Sequence, residues 1–148
     1  NAIGRKINFI QDNESKSSKG VLRGLHYQVS PFSQSKLVRV VNGAVLDVVV
    51  DIRKSSPTFG QHLAIELSVD NKYQLFVPKG FAHGFVVLSD VATFTYKVDS
   101  YYAPEHERGI AFNDQNLKIN WQLKPEFFKL ASKDLNHPNF ANVQDFFD

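Results

Sequence analysis

Residues 37–52 read LVRVVNGAVLDVVVDI, and this stretch decides the fold. Residues 37–41 are apolar apart from one arginine, and Asn42-Gly43 follows, which is the strongest short-range signal for a β-hairpin turn. Across 44–52 two aspartates fall on one face of the predicted strand, with branched aliphatic side chains on the other. We therefore predict two β-strands joined by a tight hairpin turn.

The same period of two continues along the chain, where turn residues separate several further short strands. Helical periodicity is weak until the C-terminal part, in which 125–130 and 141–147 are predicted as short helices. Many short strands with turns between them are typical of an antiparallel sandwich or barrel, so the predicted fold class is mainly β. The further predicted strands are 63–69, 75–77, 84–88 and 92–98.

The composition excludes several classes of function. The 148 residues carry a formal net charge of +2 and no block of lysines or arginines, which argues against a nucleic-acid partner. There is no cysteine, so disulfides, thiolate metal ligands and cysteine nucleophiles are excluded. No apolar run reaches the length of a membrane span, and no signal-peptide core is present. We expect a single cytoplasmic domain without a membrane segment.

Two of the five histidines stand out by their context. His26 lies in LRGLHYQ (22–28), and His83 follows a Pro-Gly turn in PKGFAHGF (78–85). This arrangement is similar to that of the cupins, and it implies an antiparallel jelly-roll barrel. Metal-binding cupins usually add a glutamate near the first histidine, whereas a tyrosine and a glutamine follow His26. We therefore expect no metal ion, which leaves His26 free for acid–base chemistry.

A histidine base needs a carboxylate that fixes its tautomer and raises its basicity. The candidates are Asp47, Asp51 and Asp134, and their spacing alone does not choose among them. Tyr96 lies on the apolar face of its predicted strand, which fits either a core residue or a proton donor at a pocket wall. The pattern alone favours the core residue.

Eight segments of the chain, taken together and in order, match one family. They are FIQDN (9–13), GVLRGLHYQ (20–28), SKLVRVVNGAVLDVVVDIRKSSPTFGQ (35–61), QLFVPKGFAHGFVVLSD (74–90), FTYK (94–97), YYAPEHERGI (101–110), INW (119–121) and LASKD (130–134). With these motifs the chain closely resembles the dTDP-4-dehydrorhamnose 3,5-epimerases, and the series is highly specific because it spans nearly the whole chain. The resemblance implies that 1–148 is one epimerase domain, lacking the family's usual N-terminal stretch, and that it forms a homodimer.

The resemblance also implies a reaction that needs no cofactor. The implied substrate is a dTDP-linked 4-keto-6-deoxy sugar, which is inverted at C3 and C5 to give dTDP-4-dehydro-L-rhamnose in dTDP-rhamnose biosynthesis. The 4-keto group acidifies the protons on C3 and C5. A base can therefore remove such a proton to leave an enolate, and an acid on the opposite face can return one.

The resemblance assigns roles to individual residues. His26 is the base, Asp134 orients it, and Tyr96 is the proton donor on the opposite face. Lys36 lies near the sugar, where its charge would stabilise the enolate oxygen. Tyr102 stacks on the thymine. The implied substrate-contacting residues are Gln11, Asp12, Asn13, Arg23, His83, Tyr102, Glu107 and Lys133.

One of these roles requires a distorted strand. Strict alternation places Arg23 and His26 on opposite faces. Both side chains reach one substrate if the strand bends at Gly24, or if Arg23 acts from the barrel rim. We predict such a distortion, and a straight strand with Arg23 pointing away from the pocket would contradict the role of Arg23.

Three alternatives remain open at this point. The first is an epimerase of a related dTDP-4-keto sugar that inverts one centre, C3 or C5. The second is a metal-dependent cupin oxygenase or isomerase, which would need a third ligand near His26 and His83. The third is a non-catalytic barrel that binds a sugar or a partner and would tolerate the loss of His26 and Tyr96.

Overall fold

Alternating and apolar runs of the sequence form two antiparallel sheets in the computed structural model, which describes residues 3–4 and 6–148. The strands in that part of the chain are β1 (Gln11–Ser18), β2 (Leu22–Gln28), β3 (Lys36–Asn42), β4 (Ala44–Asp51), β5 (His62–Ser68), β6 (Gln74–Val77), β7 (Phe81–Val87), β8 (Val91–Val98) and β9 (Glu107–Gly109). One sheet has the order β1-β8-β3-β6 and the other the order β5-β4-β7-β2-β9. The predicted mainly β, antiparallel architecture is confirmed.

The predicted hairpin at Asn42-Gly43 is wrong, although the tight turn exists. β3 pairs with β6 and β8, whereas β4 pairs with β5 and β7, so the turn carries the chain from one sheet to the other. Gly43 has a φ of +74°, and a Cβ there would overlap the carbonyl oxygen of Val91. Asn42-Gly43 therefore predicts the turn correctly, but the sequence pattern does not specify the pairing partners of the two strands.

The central strands β4 and β7 of the five-stranded sheet are buried on both faces. The inner face of this sheet packs against the four-stranded sheet in a cluster that includes Val45, Phe85 and Phe94. Its outer face carries Leu46, Val48 and Val50, and the segment that follows β9 covers it with a second apolar cluster. Since side chains alternate along β4, its two aspartates lie on the same inner face as Val45, towards the space between the sheets.

The C-terminal helices are short 3₁₀ turns, at Pro125–Phe127, Ser132–Leu135 and Phe140–Asn142. Two of them lie where helices were predicted, but each ends within one turn because the residue that follows is extended. Outside the turns the segment pairs with the barrel through two isolated parallel bridges, Val21 with Lys129 and Arg53 with Phe147. None of the helical turns among the described residues is long or apolar enough to cross a membrane.

Candidate active site

A cavity of about 860 Å³ opens between the two sheets. The four-stranded sheet lines it with residues of β1, β3 and β8, and the five-stranded sheet lines it with residues of β2 and β7. The 3₁₀ turn Ser132–Leu135 closes one side. Every site residue implied by the resemblance, apart from Asp12, lines this one cavity.

His26 is paired with Asp134 at the cavity wall. Nε2 of His26 lies 2.5 Å from Oδ1 of Asp134. The Asp134 side chain is 1% exposed and the His26 side chain 18%. Burial alone would raise the pKa of the Asp134 carboxyl, but the hydrogen bond and charge of His26 hold that pKa below its ordinary value. The structure therefore selects Asp134 from the three aspartates that spacing left open as the partner of His26.

The other two candidate aspartates have different partners. Asp47 is fully buried, and its two carboxylate oxygens lie 2.9 and 3.0 Å from Nε2 of His83. Asp51 accepts hydrogen bonds from Arg53, Ser56 and Thr58 at 2.6 Å each. Burial would raise the pKa of Asp51, but these bonds hold the pKa far below its ordinary value. Asp51 thus fixes a corner of the barrel, and Asp47 makes a second histidine–aspartate pair.

That second pair lies beside the first. His83 on β7 is the cross-strand partner of His26 on β2, so the two imidazoles are neighbours on the same sheet. His83 is almost fully buried and stacks near Phe94. Its pairing with Asp47 was not predicted, and the only sequence signal for it was an aspartate on the inward face of β4.

Tyr96 and Lys36 reach the cavity from the opposite sheet, on β8 and β3. Tyr96 packs at the edge of the inner core and also lines the cavity wall, so its position is compatible with both of the roles considered for it. Burial raises the pKa of the Tyr96 hydroxyl, which keeps it protonated. Burial also lowers the pKa of Lys36 to about 8, although the charges of Asp47 and Glu107 oppose this shift.

At the cavity mouth three side chains form a polar cluster. The Tyr102 hydroxyl donates to Oε2 of Glu107 at 3.1 Å, and Nζ of Lys133 donates to the same oxygen at 3.0 Å. Burial would raise the pKa of Glu107, but the hydrogen bond from Lys133 and the charge of His26 hold it below its ordinary value. Tyr102 is 56% exposed, so one aromatic face is available to a ligand.

The predicted distortion at Gly24 is confirmed. The register of β2 against β7 shifts between Arg23 and His26, and both side chains line the cavity. Gly24 has a φ of +122°, and the Gly24–Leu25 peptide bond is cis. A Cβ at position 24 would overlap Cα of Gly84 and the carbonyl oxygen of His83, so the two strands approach each other closely here.

Alternation along β1 corrects one predicted contact. Gln11 and Asn13 point into the cavity, and the Gln11 amide donates to Oδ1 of Asn13 at 2.7 Å. Asp12 lies on the other face, where Lys97 of β8 contacts it at 2.6 Å and its side chain is 72% exposed. Because side chains of a strand alternate, three consecutive residues cannot all face one site.

His137 is a residue that the sequence reasoning missed. Its Nε2 lies 3.4 Å from Oδ1 of Asp134, and its ring meets that of His26 edge-on, with the ring centroids 5.3 Å apart. The segment around it has no regular periodicity, and nothing in the spacing connects it with His26.

Two sheets that enclose one cavity, with a histidine–aspartate pair on one wall and a tyrosine and a lysine on the other, define a jelly-roll enzyme of acid–base chemistry. The family model that describes dTDP-4-dehydrorhamnose 3,5-epimerases matches residues 1–142. The chain belongs to this family, and it is an enzyme of the isomerase class.

Individual relatives agree with this assignment. The chain is 54% identical to the dTDP-4-dehydrorhamnose 3,5-epimerase of Shigella flexneri, over 98% of this chain and 79% of the relative. It is 50% identical to a solved structure from Legionella pneumophila, a dTDP-6-deoxy-D-glucose-3,5-epimerase in complex with dTDP-4-keto-L-rhamnose. That comparison has a TM-score of 0.92 and covers 97% of this chain and 75% of the other. The predicted jelly-roll barrel is thereby confirmed.

The similarity also ranks the alternatives. A 3'-monoepimerase from Streptomyces bikiniensis, solved in complex with dTDP-quinovose, has a TM-score of 0.85 at 36% identity, covering 95% of this chain and 70% of the other. The fold therefore serves both single and double epimerases. The higher identity to relatives named as 3,5-epimerases favours the double epimerase. Membership of an isomerase family argues against the non-catalytic barrel and the cupin oxygenase.

Proposed function

We propose that the protein converts dTDP-4-dehydro-6-deoxy-D-glucose into dTDP-4-dehydro-L-rhamnose, a step of dTDP-rhamnose biosynthesis, by inverting C3 and C5. The observation that carries this proposal is the opposition of His26 and Tyr96, which enter one cavity from different sheets. Inversion requires removal of a proton from one face of a carbon and its return on the other. No cofactor enters the reaction.

His26 removes the proton. Asp134 engages Nε2 of the imidazole, which leaves Nδ1 to accept a proton from the carbon beside the ketone. The ionised carboxylate then stabilises the imidazolium that forms. The electron pair of the broken C–H bond moves onto the 4-keto oxygen, and the sugar becomes an enolate.

Lys36 stabilises the enolate. Its ammonium group on β3 is the cation that the opposite wall presents deep in the cavity, and burial strengthens its attraction for a developing oxyanion. His83, held by Asp47 and adjacent to His26, contacts the sugar from the first wall. Both residues act on the reacting ring rather than on the nucleotide.

Tyr96 returns the proton. Its raised pKa keeps the hydroxyl protonated at neutral pH, and the enolate carbon takes that proton on the face opposite to His26. The tyrosinate regains a proton from solvent, and His26 releases the one it took. The same cycle at the second carbon completes the double inversion.

The cavity mouth holds the nucleotide. Arg23 and Lys133 bring positive charge to the diphosphate, and the exposed Tyr102 ring stacks on the thymine. Glu107 fixes Tyr102 and Lys133 in place. Gln11 and Asn13 add polar contacts from β1, whereas Asp12 is omitted because it faces outwards.

The proposal includes a homodimer that acts in the cytoplasm. A two-fold dimer is the commonest symmetric assembly, and the resemblance to the family agrees with it.

Deuterium incorporation tests the reaction directly. The protein is incubated with dTDP-4-dehydro-6-deoxy-D-glucose in D₂O, and proton NMR follows the sugar resonances. We expect the signals of H3 and H5 both to disappear and the product to have the L-rhamno configuration. Label at a single carbon would contradict the double epimerase and favour the single-centre enzyme. The variants His26→Asn and Tyr96→Phe are the controls, since each removes one of the two proton-transfer groups.

A further inference from the structure

Three potential metal-ligand atoms converge behind the proposed base. A ring nitrogen of His26, a carboxylate oxygen of Asp134 and a ring nitrogen of His137 all lie within 4.8 Å of one another. His26 and Asp134 are accounted for by the proposed proton transfer. His137 is not, because it does not line the cavity and has no role in the mechanism.

The position of His137 is built into the fold. Gly109 on β9 is the cross-strand partner of His26 on β2. A Cβ at position 109 would overlap the ring atoms Cγ, Nδ1 and Cε1 of His137. The absence of a side chain at Gly109 therefore provides the space in which this imidazole lies against the His26–Asp134 pair.

The same imidazole has an unsatisfied nitrogen. Nε2 of His137 is buried and has no hydrogen-bond partner within the described part of the chain, although it faces Oδ1 of Asp134 at 3.4 Å. Buried polar atoms are nearly always satisfied, so a nitrogen in this position indicates a missing partner. A cation shared with the carboxylate would satisfy both groups.

We propose that His26, Asp134 and His137 bind a divalent transition-metal ion, with Zn²⁺ as the best fit, and that the bound ion inhibits epimerisation. Two imidazoles and one carboxylate are a typical three-residue ligand set for zinc, with the fourth position left to water. His26 and Asp134 both line the cavity, which is the route by which an ion would enter. The ion is an inhibitor here and has no part in the reaction.

The two separations that involve Asp134 can be compared with those of a zinc site. Zinc bonds of about 2.1 Å in a tetrahedral site place ligand atoms about 3.4 Å apart. The separation between His137 and Asp134 already has this value, at 3.4 Å. The contact between His26 and Asp134 is shorter, at 2.5 Å, because a proton and not a metal ion lies between these groups. Rotation of the carboxylate opens that contact.

Inhibition follows from the atom that the ion occupies. When the metal binds Nε2 of His26, the ring proton moves to Nδ1, because a neutral imidazole carries one N–H. Nδ1 then has no lone pair with which to accept a proton from the sugar, and Asp134, bound to the metal, can no longer stabilise an imidazolium. This second part rests on the proposed function, whereas metal binding itself does not.

The test starts with protein that has been stripped with EDTA and then dialysed. Calorimetric titration with ZnCl₂ is expected to show one ion bound per chain. In ¹⁵N NMR spectra of the histidine rings, zinc is expected to shift the Nε2 signals of His26 and His137. The matched variants are His137→Gln, which removes a ligand, and His62→Gln, which removes an exposed histidine on β5. We expect zinc affinity to fall by about tenfold or more in the first variant and to stay unchanged in the second.

Inhibition is measured as the turnover rate of each protein with zinc, divided by the rate of the same protein in EDTA. Zinc should inhibit the wild type and His62→Gln at the concentrations that bind, with reversal by EDTA, and should inhibit His137→Gln only at higher concentrations. Equal zinc affinity in all three proteins, or ring shifts confined to other histidines, would overturn the metal site. Binding without inhibition would overturn the inhibitory role. If the EDTA-treated wild type does not epimerise the sugar, the proposed function fails, while calorimetry and NMR still decide whether the site exists.

Discussion

The two histidine–aspartate pairs of the cavity differ in burial, and that difference separates their roles. His83 and Asp47 are both almost fully buried, so their pair is rigid and orients a contact. His26 is partly exposed above a buried Asp134, so its free ring nitrogen can exchange a proton with a bound sugar and then with solvent. The pKa of the buried Asp134 is held below its ordinary value, so this carboxylate stays ionised and can stabilise the protonated form of His26.

The charge of Asp134 should matter more than its shape. In Asp134→Asn we expect kcat to fall by about 10²–10⁴-fold with little change in KM, because the amide no longer stabilises the imidazolium and favours the wrong tautomer. Steady-state rates with the keto sugar measure the split. Asp51→Asn is the matched control: it should lower the melting temperature and leave kcat nearly unchanged, since Asp51 bonds only to the barrel corner. A rise in KM with an unchanged kcat in Asp134→Asn would contradict the assigned role.

Lys36 should set the alkaline limit of activity. Its ammonium form is the one that stabilises the enolate, and burial lowers its pKa to about 8. The contribution of Lys36 to activity is therefore present below that pH and is lost as the pH rises through it. We expect kcat/KM to show this alkaline decline, because kcat/KM reports ionisations of the free enzyme. In Lys36→Arg the decline should move to higher pH, since arginine stays charged, and in Lys36→Met activity should fall by about 10²–10³-fold at all pH values. An unchanged alkaline decline in Lys36→Arg would assign it to another group.

Lys36 should also affect stability, with the opposite trend in pH. Its pKa is lower in the folded protein than its ordinary value of 10.5, so between about 8 and 10.5 the unfolded chain binds a proton that the folded chain has released. Folding stability contributed by this residue therefore rises with pH across that window. We expect Lys36→Met to be more stable than the wild type at pH 7, and the difference in urea midpoints to shrink as the pH approaches 10. A difference that is constant with pH would contradict this prediction.

At the scale of elements, the irregular strand β2 brings the side chains of Arg23 and His26 into the same cavity. In Gly24→Ala a Cβ would meet the backbone of β7, so we expect the strands to separate and the stability to fall by about 1–3 kcal/mol or more, with a loss of kcat/KM. Urea unfolding and steady-state kinetics measure the two effects. Gly60→Ala is the control, because Gly60 also has a positive φ, of +75°, but its Cβ would make ordinary contacts with the Phe140 ring. Equal losses of activity in both variants would show that the overlap at β7 is unimportant.

The sequence predicted most strands and the bend at Gly24, and its failures have identifiable physical causes. β1 reads QDNESKSS, a polar stretch, and is a strand because it pairs along its whole length with β8. The Asn42-Gly43 turn was predicted from local chemistry, but the partners of β3 and β4 depend on residues far along the chain. From the sequence, Asp134 and Asp47 are both plausible partners of His26. The path of the C-terminal segment decides between them, since it brings Asp134 to His26, whereas Asp47 pairs with His83.

At the scale of the whole molecule, that C-terminal segment joins the outer core to the site. It buries Leu117 and Trp121 against the five-stranded sheet, and the Trp121 indole donates to the carbonyl of Phe112 at 2.8 Å. The same segment continues to the turn that carries Asp134. Packing on the outer face of the sheet therefore holds Asp134, a proposed catalytic group, at the inner face. We do not expect the outer core and the site to unfold separately.

Unfolding should consequently be a single event for core and site. The chain has one tryptophan, Trp121, so its fluorescence reports on the outer layer alone. In a urea titration we expect this fluorescence, the far-ultraviolet circular dichroism of the sheets and epimerase activity to change with one shared midpoint, as in a two-state domain. If activity and Trp121 fluorescence both changed at a clearly lower urea concentration than the circular dichroism of the sheets, the segment would open as an independent unit. Trp121→Ala provides the stronger form of this test. It should cost about 3–5 kcal/mol of stability and move the activity and dichroism midpoints together, because the cavity left under the segment weakens the layer on which Asp134 depends.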